Sequence, residues 1–137
     1  MIDDVLTATY RVLVSRAVQR KTITYGRLYD VLAPEFGWPK RTNGNSWQKR
    51  LPLAQLGTLN GENGEPALAC LVRYDKPGRP VGVGFKTAHE NCHGKPLLAG
   101  HDHSGVDCDT CQVAANIAAN DEARLCYEHF QSGMTAI

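Results

Sequence analysis

Residues 89–129 gather the side chains best able to hold a metal. All five histidines and four of the five cysteines lie there: His89, Cys92, His93, His101, His103, Cys108, Cys111, Cys126 and His129. Cys108-Asp-Thr-Cys111 is a C-x2-C pair, a spacing that lets two thiolates reach one tetrahedral ion. Cys126-Tyr-Glu-His129 follows, and two residues three apart on a helix share a face. Together they read C-x2-C-x14-C-x2-H and predict a structural zinc site of the Cys3His type. A second set keeps Cys108 and Cys111 and draws Cys92, His101 or His103 from the preceding segment, which the metal would then order. Three ligands and a water would make the site catalytic. His101-Asp-His103 points that way, but no glutamate stands beside it as a general base. The metal-free alternative makes Cys111 and Cys126 buried helix residues and the histidines surface groups. A redox role for the C-x2-C pair would need a preceding βαβ pattern, which the sequence lacks.

The second chemical resource is positive charge. Residues 1–60 hold nine Lys/Arg against four Asp/Glu, a balance of 9 − 4 = +5; residues 61–137 hold six against ten, 6 − 10 = −4. Such a split suits a basic binding face backed by an acidic cap. Lys40, Arg41, Lys49 and Arg50 cluster before residue 51, and Lys76 and Arg79 sit in a turn-rich DKPGRP segment. Gln48, Asn43 and Asn45 add groups able to reach base edges or phosphates.

These residues need elements to carry them. Residues 3–19 predict a first helix, with Val5, Leu6, Leu13, Val14 and Val18 near helical spacing and Asp3 or Asp4 as cap. A very short strand fits 20–23. Thr24 is a good N-cap for a second helix, with Leu28, Val31 and Leu32 as its stripe and Pro34 as its end. A Pro/Gly/Asn-rich loop spans 34–46. A third helix carries Leu53, Leu56 and Leu59, with Pro52 in its first turn or just inside it. Ala67–Tyr74 and Val81–Phe85 read as two strands of a hairpin around DKPGRP. Residues 86–107 show no clear period and read as an irregular loop. Residues 109–132 read as helix, with a candidate break at Asn120–Asp121.

The order helix, short strand, helix, helix, hairpin is that of a winged helix, in which the third helix enters a groove and the hairpin lies along the backbone. The expected architecture is therefore a single α+β domain over 1–137. It comprises a winged-helix core over 1–85, a His/Cys-rich loop over 86–107 and a C-terminal helical segment over 108–137.

The stretches VQRKTITYGRLYDVL and LAQLGTLNGENGEPALACLVR resemble the C-terminal winged-helix domain of the O6-alkylguanine-DNA alkyltransferases and alkyltransferase-like proteins. Thr24-Tyr25-Gly26 matches that family's Thr-Tyr-Gly, and Leu56-Gly57 through Pro66 loosely matches its Gly-Asn-Pro segment. The resemblance covers residues 18–85 and implies a DNA-facing fold. The family's Pro-Cys-His-Arg is replaced by Ala69-Cys70-Leu71-Val72-Arg73. No histidine follows Cys70 to help form a thiolate, and a thiol among apolar residues is inert. Cys70 is expected in the core.

The expectation from sequence is a small, non-enzymatic duplex-DNA binder using Lys40, Arg41, Gln48, Lys49, Arg50, Lys76 and Arg79. A protein-interaction module on the same scaffold and a metal-dependent hydrolase using the histidines are the alternatives. No apolar run approaches the roughly 18–20 residues of a membrane span. The first residues lack the basic and small-residue pattern of a secretory signal. A cytoplasmic location is the expectation.

Overall fold

The computed structural model describes residues 4–41, 50–74, 83–94 and 109–135. Among them are five α-helices: α1 (Asp4–Gln19), α2 (Tyr25–Phe36), α3 (Leu53–Glu62), α4 (Val83–His93) and α5 (Asp109–Thr135). Strands β1 (Ile23–Thr24) and β2 (Val72–Arg73) form one parallel pair, with Ile23 opposite Val72 and Thr24 opposite Arg73. A short 3-10 turn, Leu68–Leu71, leads into β2.

That turn is the centre of the molecule. Ala67 through Val72 have no exposed surface, and α1, α3, α4 and α5 all pack on the turn. The apolar run ALACLV is thus a fully buried segment, as its composition suggests, but helices surround it rather than strands. Its first backbone donors are met by side chains. Leu68 N–H donates to Asn60 Oδ1 at 3.0 Å and Ala67 N–H to Glu122 Oε2 at 2.7 Å. Donors satisfied in this way do not require a sheet partner.

The expected winged helix is overturned here. The described residues are mostly helical and contain no β-hairpin. Ala67–Tyr74 contributes a 3-10 turn and two strand residues. Val83–Phe85, the described part of the strand expected over Val81–Phe85, opens α4, and α4 runs on to His93 over the first part of the 86–107 segment read as irregular loop; residues 95–107 lie outside the described residues. Phe85 and Ala88 are buried, with His89 and Cys92 half-buried behind them. This is an i, i+3, i+4, i+7 stripe that a helix presents on one face. Its partner is α3, whose Gly57 and Gly61 let the two backbones approach. A Cβ on Gly57 would overlap the Ala88 carbonyl, and one on Gly61 would sit 2.6 Å from the Cys92 carbonyl oxygen.

Other elements follow the sequence closely. Thr24 caps α2, its hydroxyl accepting from Arg27 N–H at 3.1 Å. Pro34 lies inside α2 rather than ending it; two more residues complete the turn before Gly37, at φ 67°, closes it in the left-handed conformation. Tyr29, Phe36 and Trp38 pack their rings together there and hold that last turn. Helix α5 passes through Asn120–Asp121 without a break. No helix among the described residues is long and apolar enough to cross a membrane.

Candidate metal centre

Helices α4 and α5 bring together His89, His93 and Glu122, a set whose ligand atoms lie within 4.8 Å of one another and which could hold a metal ion. His89 and His93 are four apart on α4, so their rings stand on one face, with centroids 4.4 Å apart. Glu122 reaches them from the middle of α5. His93 Nε2 is 2.8 Å from Glu122 Oε2, and His89 Nε2 is 3.7 Å from Glu122 Oε1. Donors around a tetrahedral zinc lie about 3.3 Å apart, given bonds of about 2.0–2.1 Å. The three groups bracket that spacing.

The carboxylate is the fixed point of the cluster. Its side chain is 6% exposed. Burial alone would raise its pKa, but hydrogen bonds from His89, the Ala67 amide and His93 outweigh burial and lower it to about 2. Glu122 is therefore an anion at neutral pH. The Ala67 amide that orients it is itself held by a buried chain. Tyr10 O–H donates to Glu65 Oε2 at 2.5 Å, Asn60 Nδ2 donates to Glu65 Oε1 at 3.0 Å, and Asn60 Oδ1 accepts from Leu68 N–H. Outer partners of this kind set the direction of a ligand. His89 Nδ1 is buried without a hydrogen-bond partner among the described residues.

The centre is sealed on one side and open on the other. His89 is 13% exposed and His93 32%. His93 also lines a cleft of about 890 Å³ with Cys92, Gly61 and Gly64 on one side and Leu125, Glu128 and His129 on the other.

The ligands expected from sequence are placed differently. Cys126 is buried, its Sγ 3.7 Å from Cys70 Sγ and 3.7 Å from the Ala67 carbonyl oxygen. His129 is exposed, edge-on to Phe130, and lines the cleft. Cys126 and His129 share α5 but not a destination. Cys92 donates to the Glu65 carbonyl at 3.3 Å, and burial raises its pKa to about 11. Cys108, His101 and His103 lie outside the described residues, as does the Cys111 side chain.

Three of the seven residues expected to face DNA, Lys40, Arg41 and Arg50, are among the described residues. Gln48, Lys49, Lys76 and Arg79 lie outside the described residues, and Lys40 is exposed. Arg41 makes a two-pronged pair with Asp30 at 2.8 and 3.0 Å. Arg50 stands over the Trp38 ring at 6.0 Å. With α4 in place of the hairpin, no helix-plus-ribbon surface forms among the described residues. Cys70 is fully buried, and burial, together with Cys126, pushes its thiol pKa well up.

Both histidines of the cluster lie in the segment His89-Glu90-Asn91-Cys92-His93, which the Cys/His spacings above do not single out. H-E-x-x-H on a helix places two imidazoles on one face with an acid beside the first, and this was the available signal. Glu122 had no local signal, being 29 residues beyond His93. Compared with family models, curated proteins and solved structures, the chain matches none.

Proposed function

We propose that this chain is a zinc protein whose centre, His89, His93 and Glu122, is of the catalytic kind. Two imidazoles and one carboxylate form a donor set of open zinc sites, which keep a fourth position for water or substrate; closed structural sites take four protein ligands. The observation that carries the reading is Glu122. It is buried, ionised and oriented by the Ala67 amide, and it faces the two histidines. A carboxylate so placed supplies the charge that a divalent cation needs. The same three donor types also suit ferrous iron. The H-E-x-x-H spacing on one helix favours zinc.

The reading is tested by loading metal-free protein with zinc, ferrous or manganous ion in parallel. One zinc per chain, held tightly and lost in His93→Ala and Glu122→Gln, is the expected result. Preference for iron, or zinc retained by both variants, would contradict it.

A further inference from the structure

Resting on the zinc reading above, we propose that the centre hydrolyses amide bonds of peptides, with Glu90 as general base and the α3–α4–α5 cleft as the peptide's point of entry.

The placement follows from α4. His89 and His93 form a ridge along the helix. At 100° per residue, Glu90 falls on one flank of that ridge and Cys92 on the other. Cys92 lines the cleft. On that placement a water at the open position would have the Glu90 flank of α4 on one side and the Cys92 flank, which lines the cleft, on the other, so that the base and the incoming carbonyl would reach the water oxygen from different directions. Glu90 is held in place: its Oε2 lies 3.0 Å from Lys86 Nζ, one turn earlier, and both side chains are mostly covered.

The substrate class follows from charge. The described residues lining the cleft include Glu65, Glu128 and His129 but no lysine or arginine. A phosphodiester entering there would meet the like-charged carboxylates of Glu65 and Glu128. A neutral amide meets no such penalty. Pro66 and Leu125 give it apolar surface, and Glu128 favours a basic side chain next to the scissile bond. On α5, His129 lies seven residues from Glu122, about 10 Å along the axis. That is within reach of a bound peptide's flanking residues.

The step balances as follows. Water gives one proton to Glu90, and its oxygen adds to the carbonyl carbon. Negative charge builds on the carbonyl oxygen beside the ion, which stabilises it as a Lewis acid. The C–N bond then breaks, the nitrogen takes the proton from Glu90, and a carboxylic acid and an amine are released.

The test uses zinc-loaded full-length chain and a peptide mixture made by digesting a cell extract with a glutamate-specific protease, which leaves internal lysines and arginines in place, with new N-termini read by mass spectrometry. Wild type should generate new termini, enriched beside basic residues. Glu90→Gln should cut at a rate lower by about a hundredfold or more while keeping one zinc and the wild-type melting temperature. Glu90→Asp, which keeps the charge but withdraws it, should fall between them. Hydrolysis of bis(p-nitrophenyl) phosphate in place of peptides would overturn the substrate class. Zinc-loaded wild type that releases no new termini, or Glu90→Gln cutting at the wild-type rate, would overturn the proposal and leave the zinc centre standing. A chain with no affinity for zinc would remove both.

Discussion

Glu122 and Cys126 are one helical turn apart on α5, and each meets a partner from earlier in the chain. Cys126 meets Cys70 in a sealed apolar interior, where both side chains have no exposed surface. Glu122 meets His89 and His93 at the mouth of a cleft. The same helix thus builds an inert thiol pair and a charged candidate metal centre within four residues. Residue type alone favours the cysteines as metal ligands. Environment reverses the preference, because a thiol must ionise to bind metal and burial among apolar groups opposes that. The carboxylate is buried too, but an amide and two imidazoles stabilise its charge.

The largest way to break this comparison is Glu122→Ala set against Cys126→Ala. The first removes a ligand and leaves the Ala67 amide unpaired. It should cost about 2–3 kcal/mol in urea unfolding and lower zinc affinity by more than about a hundredfold, beyond what loss of a supporting partner costs. Cys126→Ala should cost about 1 kcal/mol for the small void and leave zinc affinity unchanged. Equal effects on zinc would erase the distinction between the two regions.

Gly57→Ala acts on the element that carries the histidines. It forces α3 and α4 apart, and should cost about 2 kcal/mol. It should weaken zinc binding through displaced His89 and His93, while Cys70 and Cys126 stay unreactive. Thermal unfolding with and without zinc measures both.

Acid sharpens the contrast. In metal-free protein the Glu122 pKa is about 2 in the folded state and near its ordinary 4.5 when unfolded. Its contribution is therefore fully present above about pH 4.5 and is lost as pH falls towards 2. Wild type should lose stability across that window, and Glu122→Gln should show a flatter profile. Identical profiles would mean that the carboxylate is not held as described.

Alkylation rate is a gentler probe. Among Cys70, Cys92 and Cys126, a maleimide should label Cys92 first in native protein, and the buried pair only on unfolding. Fast labelling of Cys70 in native protein would contradict its burial. The smallest effect belongs to Arg41→Ala, which removes an exposed ion pair with Asp30 and should cost under about 1 kcal/mol.

Much of the helical frame was legible in the sequence. The stripes of α1 and α2 and the Thr24 cap carry strong local signals, and the helix over 109–132 was expected almost as found. Helix α4 was hidden because its exposed positions are polar and its buried stripe is short. Apart from Phe85, its packing relies on the close approach allowed by Gly57 and Gly61 of α3 rather than on large side chains of its own. The run from Ala67 to Val72 looked like a strand because it is apolar throughout. What makes it a turn is a pair of distant side chains, Asn60 and Glu122, taking its first amides. The candidate metal centre is half legible. H-E-x-x-H stood in plain sight, but its third member is joined to it only by the packing of α5.

X-ray absorption at the zinc edge of the loaded protein tests the central claim most directly. The His89–His93–Glu122 centre predicts nitrogen and oxygen neighbours at about 2.0 Å and none of sulfur. A shell of sulfur at about 2.3 Å would place the metal on cysteines instead and contradict it.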